Sequence, residues 1–229
     1  MGGRVGPHLI ITRPDPDGTR FADQLRAQLG PDVHVIMAPL MQILPLDVQI
    51  DAQGFIFTST NGVAQAVRLG RMTGPAWCVG DRTTDAATAA GFAAKSAKGT
   101  AEDVIALVKS EAPTGRIAHV RGEHARGDVG PRLRAAGIDC VDVIAYTQSP
   151  IDLPADVVDL IEGAEPIIIP LFSPRATALL MSQATLGPNV QMVAISRQTA
   201  GGHQMQIAET PDGHAMVRAT VAAYRGLNP

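Results

Sequence analysis

Two designs, each used twice along the chain, constrain its fold more than any other feature. Residues 9–36 run as an apolar strand, Thr12-Arg13-Pro14, a polar loop, an amphipathic stretch with Leu25 and Leu29, Gly30 and a second strand. Residues 117–144 repeat that order, with Arg121-Gly122-Glu123, Leu133 and Gly137 in the matching places. A second design fills 54–92: strand, Thr58-Ser59-Thr60-Asn61, helical stretch, Pro75, strand, Val79-Gly80, Thr83, an Ala-rich stretch and Gly91. It returns at 166–207 with Phe172-Ser173-Pro174, Pro188, Ile195-Ser196, Thr199-Ala200 and Ile207. A repeated unit that cannot bury its apolar faces alone must pack on another. The order A, B, A′, B′ allows sequential pairing of neighbours or nesting of the middle two inside the outer two. Ala38-Pro39-Leu40 and Ala145-Tyr146-Thr147 follow the second strands of A and A′ and are suited to chain crossings, which favours nesting. The expected domains are 1–37 with 148–229, and an inserted 40–145, with linkers near 38–39 and 146–147.

Short apolar runs alternate with amphipathic ones, the pattern of βα units feeding a parallel sheet. Strands are expected at 8–12, 33–37, 54–58, 76–79, 116–120, 140–145, 166–171 and 190–195. Helices are expected near 17–29, 61–70, 83–90, 101–110, 126–136, 154–162, 174–184, 198–204 and 211–225. Strands this uniformly apolar suit a sheet covered by helices on both faces.

Nineteen Lys and Arg stand against 22 Asp and Glu in 229 residues, so no broad basic field is available for a nucleic-acid backbone or an anionic membrane. One Trp, two Tyr and five Phe provide poorly for a base-stacking platform. Cys78 and Cys140 each lie in apolar runs and read as small buried thiols, without zinc-ligand spacing. The first residues lack a signal-peptide pattern and no apolar run approaches the roughly 20 residues of a membrane span, so a cytoplasmic protein is expected.

Ligands of open parallel sheets bind beyond the carboxyl ends of the strands. Ser59, Thr83, Ser173 and Thr199 each precede an amphipathic run there, where a hydroxyl can cap a helix and the free N–H groups can receive an anion. Arg13 and Arg121 hold matching places in A and A′; each can grip a carboxylate or pair with an acidic neighbour such as Asp15 or Glu123. Asp15, Asp17, Asp139 and Asp142 read as solvated charges. The chain has no HExxH, GxSxG, GxGxxG or GxxxxGK[ST] pattern, so metal hydrolysis, nucleophile-elbow chemistry, dinucleotide binding and P-loop hydrolysis find no support. Tyr146 closes an apolar strand at an expected crossing, and a phenol that keeps its proton at neutral pH can serve as a general acid. Tyr224 reads as packing within a terminal helix.

At these residues the sequence resembles the uroporphyrinogen-III synthase family. The matching pieces are LIITRP (9–14), FIFTSTNGV (55–63), WCVGDRTTDAATAAGF (77–92), HVRGEHARGDVGPRLRAAG (119–137), VIAYTQSP (143–150), PLFSPRATALL (170–180) and VAISRQTA (193–200), in the family's order. The resemblance implies two flavodoxin-like α/β domains with parallel sheets joined by a two-stranded linker. It implies cyclisation of hydroxymethylbilane, with inversion of ring D, to uroporphyrinogen III and water, without metal or organic cofactor. Tyr146 matches the family's proton-donating tyrosine; Arg13, Ser59, Thr83, Arg121, Gly122, Ser173 and Thr199 are the expected substrate-binding residues. Departures from the family's turns are Asp81-Arg82, Thr84 and Ser196. The expected partner is the bilane alone, taken by a monomer from the preceding pathway enzyme, with no nucleic acid and no membrane. The competing reading is a non-catalytic two-domain hinge protein that closes on a small carboxylate or phosphate.

Overall fold

The computed structural model describes residues 6–125 and 127–227. Its strands are β1 (His8–Ile11), β2 (Val35–Met37), β3 (Met41–Pro45), β4 (Gly54–Phe57), β5 (Pro75–Cys78), β6 (Ala93–Ser96), β7 (Ile117–Gly122), β8 (Cys140–Pro150), β9 (Ile167–Leu171), β10 (Val190–Ala194) and β11 (Gln206–Ile207). Its helices are α1 (Asp17–Leu29), α2 (Thr60–Arg68), α3 (Asp81–Ala89), α4 (Ala101–Glu111), α5 (Val129–Ala135), α6 (Ala155–Glu162), α7 (Pro174–Gln183), α8 (Arg197–Ala200) and α9 (Gly213–Leu227). The chain divides into two units, Met1–Gln42 with Ser149–Pro229, and Ile43–Gln148. The division falls inside β3 and β8, at 42/43 and 148/149, where the expected linkers lay near 38–39 and 146–147.

In the first unit the strands lie in the order β2-β1-β9-β10-β11, all parallel. Numbered within the unit this is 2-1-3-4-5, the flavodoxin order. In the second, β8-β7-β4-β5-β6 are likewise parallel. Both sheets thus place an A-type strand pair beside B-type strands in one spatial order, although A precedes B′ in the chain and B precedes A′. Pairing follows the apolar faces each segment must bury, and the connection can be cut at a different point without changing them.

Strand faces explain the apolar runs. Leu9 and Ile11 pack in the cluster of Phe21 and Leu25, while Ile10 between them joins Leu40, Ile161 and Leu180 on the other face. In the second unit Phe55 and Phe57 pack with Phe92, at ring-centroid separations of 5.1 and 5.2 Å, while Ile56 faces Val104, Ile117 and Leu133. Each such buried side chain stabilises by about 1.5–3 kcal/mol, and strict alternation lets one strand serve two cores.

Several expectations are corrected. The second sheet is mixed, because β3, absent from the expected strands, joins β8 antiparallel: Leu46 N–H donates to Ala145 C=O (2.9 Å) and Ile151 N–H to Leu40 C=O (3.0 Å), one index rising as the other falls. The edge strands β6 and β11 were also unexpected; β6 alternates exposed and half-buried residues and β11 is two residues long. β8 runs on to Pro150, so Tyr146 lies within it. The helix expected at 126–136 begins at Val129, and Arg126 is outside the described residues. The one expected at 198–204 stops at Ala200, because Gly201 and Gly202 take φ of 59° and 89°.

Candidate functional site

The shared register makes the two units directly comparable. Ser59 and Ser173 are both N-caps. Ile56 pairs with His119, and continuing the Leu9↔Ile168 register along β1 and β9 sets Ile11 level with Pro170. The pair His119↔Asp142 then corresponds to Ile11↔Met37. Arg13 and Arg121 therefore occupy the same place, one at each A-type strand end, as the repeat implied.

In the first unit, Arg13 lies 4.0 Å over the Phe172 ring and donates to Asp17 (2.7 Å), which also accepts from Arg20 (3.0 Å). The acidic partner belongs to the first turn of α1, rather than being Asp15, which accepts instead from Thr19. Ser173 caps α7 by accepting from Ala176 N–H (3.1 Å). Thr199 is not a cap: it is buried inside α8, and Ser196 accepts from its N–H (3.2 Å). Thr83 differs from expectation in the same way, being buried in the first turn of α3 behind the cap position Gly80. At these strand-end turns the capping hydroxyls are those of Ser59, Ser173 and Ser196.

The second unit brings Tyr146, Ser59 and Gly122 together, with the Arg121 charge near enough to act on the phenol. β7 and β8 slip register after Arg121↔Ile144, so that Gly122 faces Tyr146 and Ala145 is the extra residue. Without that bulge, alternation would send Tyr146 to the face opposite Ala145; with it, Val143, Ala145 and Tyr146 all join the Phe57 cluster. The Tyr146 ring stands so close to Gly122 that a Cβ there would come within 2.5 Å of Cε2. Its hydroxyl is 3.0 Å from Ser59 Oγ, and that oxygen accepts from Gly62 N–H (3.2 Å) at the start of α2. Tyr146 is 5% exposed, and burial pushes its phenol above the ordinary value, against the Ser59 hydrogen bond, the Gly122 backbone and the Arg121 charge. The result is a fixed phenol that holds its proton, with a ready hydrogen-bond partner.

On the other face of the same sheet lies an array that residue spacing did not reveal. Thr58 Oγ1 is 3.2 Å from His119 Nε2, and His119 Nδ1 is 3.1 Å from Asp142 Oδ1. Arg121 Nε donates to Asp142 Oδ1 (3.2 Å) and Arg134 to Oδ2 (3.1 Å), while Arg121 Nη1 donates to the carbonyls of Gly122 (3.0 Å) and Glu123 (3.2 Å). Asp142 is therefore no solvated charge. The His119 hydrogen bond first, then the Arg134 bond and the nearby charges, hold its carboxyl far below the usual carboxylate range in spite of burial. The available signal was alternation: His119 and Asp142 are polar residues at inward positions of buried strands.

Among the described residues no group of three or more His, Cys, Asp or Glu side chains gathers to hold a metal, and no helix is long and apolar enough to cross a membrane.

The chain resembles solved structures over nearly its whole length. Uroporphyrinogen-III synthetase of Helicobacter pylori aligns with TM-score 0.67 at 15% identity, covering 95% of this chain and 99% of that one. A mutant uroporphyrinogen III synthase of the extremely thermophilic bacterium Thermus thermophilus aligns with TM-score 0.55 at 17% identity, covering 96% and 99%. No curated protein sequence gives a significant match. Fold and register define an α/β protein of two flavodoxin-like units built on a nested chain, the architecture those structures share. The family model described as uroporphyrinogen-III synthase HemD matches residues 20–216. The chain belongs to the uroporphyrinogen-III synthase family, and its activity is that hydro-lyase reaction of tetrapyrrole biosynthesis, closing hydroxymethylbilane to uroporphyrinogen III.

Proposed function

We propose that Tyr146 donates the proton on which this reaction turns. The terminal hydroxyl of hydroxymethylbilane takes the phenolic proton and leaves as water, and the azafulvene cation that remains is attacked by the substituted carbon of ring D. The spiro product fragments and recloses with that ring inverted, and the proton lost from the ring on closure restores the phenol. The observation that carries this reading is the buried phenol, 3.0 Å from Ser59 and held over Gly122. An acid whose proton is retained at neutral pH suits departure of a poor leaving group.

The eight carboxylates of the bilane call for donors at the strand ends. In this reading Arg13, Ser59, Thr83, Arg121, Gly122, Ser173 and Thr199 hold them, the arginines through their positive charge and the helix starts through backbone N–H groups. Thr83 and Thr199 are buried, so their part is to shape the turns whose N–H groups face the substrate. We further place the chain in the cytoplasm as a monomer; because the bilane closes unassisted to the type I isomer, it takes its substrate directly from the preceding enzyme.

Incubation with freshly made hydroxymethylbilane and separation of the isomers tests the reading. Type III in excess, falling steeply in Tyr146→Phe, is the expected result; full-rate type III from Tyr146→Phe would overturn the proton-donor role.

A further inference from the structure

The Thr58–His119–Asp142 array is not demanded by the fold. At the same register positions the first unit carries Phe172, Ile11 and Met37, and Ile11 is fully buried among apolar neighbours. Two equivalent sheets thus carry apolar side chains at these positions in one case, with Ile11 buried, Phe172 half-buried and Met37 exposed, and a hydrogen-bonded polar chain in the other. Burying a polar chain is costly unless every member is satisfied. Here each is: His119, 1% exposed, is held at both ring nitrogens, and the Asp142 carboxylate receives His119, Arg121 and Arg134. Gly130 of α5 leaves the room for that carboxylate, as Gly18 of α1 does for Met37.

The array touches the Tyr146 site at two points of the backbone. His119 holds Thr58, and the next residue is Ser59, the hydrogen-bond partner of the phenol. Asp142 holds Arg121, and the next residue is Gly122, on which the ring rests. One carboxylate, through one imidazole and one guanidinium, therefore fixes both strand ends that fix Tyr146. We propose that Asp142, His119 and Thr58 are positioning residues for the reaction, setting the Ser59 hydroxyl and the Gly122 α-carbon against the Tyr146 phenol from the opposite face of the sheet. This inference rests on Tyr146 being the proton donor.

The test is a cycle of Thr58→Val, Asp142→Asn and Tyr146→Phe, reading kcat, KM and the type III fraction, with Thr58→Ser as the conservative variant. Thr58→Val removes the hydroxyl that His119 holds, changes no charge and guards against an Asp142→Asn variant that does not fold. Displacement of a reacting group by about 1 Å costs about 100-fold, so Thr58→Val and Asp142→Asn are expected to lower kcat by roughly tenfold to 100-fold with KM little changed. Thr58→Ser restores most of the loss. In the Tyr146→Phe background the same substitutions have no further effect on kcat. Equal losses with and without the Tyr146→Phe substitution would overturn the positioning role while leaving Tyr146 as donor. A full-rate Tyr146→Phe enzyme would remove the donor reading itself, and this inference with it.

Discussion

The Tyr146 ring rests against the bare α-carbon of Gly122, where a methyl group would stand 2.5 Å from Cε2. Gly122→Ala must therefore move the ring. Crowding of this kind costs about 1–3 kcal/mol, and displacement of the phenol lowers type III formation by on the order of 100-fold. Urea unfolding and isomer separation measure the two effects; an alanine variant with wild-type turnover would show that ring placement is unimportant.

Ser59 and Ser173 are matched N-caps, but only Ser59 is also bonded to a buried phenol. Loss of an N-cap costs about 1 kcal/mol, and a buried hydroxyl deprived of its partner costs about 1–3 kcal/mol more. Ser59→Ala is thus expected to destabilise more than Ser173→Ala in denaturant titrations. Equal losses would mean that the Tyr146 contact contributes nothing to stability.

Asp142 has its pKa depressed in the folded state, so its contribution to stability is present above the unfolded value of about 3.9 and is lost as pH falls below it. Thermal unfolding midpoints of the wild type and Asp142→Asn should differ most near neutrality and converge as pH drops below about 4. A gap unchanged down to about pH 3 would contradict this assignment.

The Tyr146 phenol is raised, so its acid form persists past the ordinary value of about 10. Turnover at saturating substrate should therefore show no loss from this group up to about pH 10, and a fall above it wherever the fold survives. An alkaline limb near neutrality that vanishes in Tyr146→Phe would show that the phenol titrates low.

Burial pushes the thiols of Cys78 and Cys140 up to about 11. Neither should react with a thiol reagent at about pH 8 in the native protein, and both should react in denaturant. Labelling in the native state at the rate of a free thiol would contradict the packing of β5 and β8.

The nested order of repeats, the strand ends that carry Arg13 and Arg121, and the capping serines were legible because each depends on residues close in sequence. A strand, its turn and the next helix read as one local pattern. Strands β3, β6 and β11 were not legible: they lie at sheet edges, where one neighbour is missing and the apolar signal is weak. Thr83 and Thr199 were misplaced as caps because capping depends on where the helix starts, and each helix begins ahead of them, at Asp81 and Arg197. Asp142 was misread because its partners are 8, 21 and 23 residues away.

By itself the sequence determined two α/β units from four repeated pieces, and offered Tyr146 as one of only two tyrosines in the chain. Periodicity and turn chemistry are enough for that, since they act over a few residues. Only the tertiary structure decided which face Tyr146 takes, because a one-residue bulge opposite Arg121 and Gly122 reverses the alternation that the strand alone would dictate. It also joined Thr58, His119 and Asp142, which no local pattern links, because neighbouring parallel strands bring distant residues into register and leave a buried polar group to find its partner across the sheet.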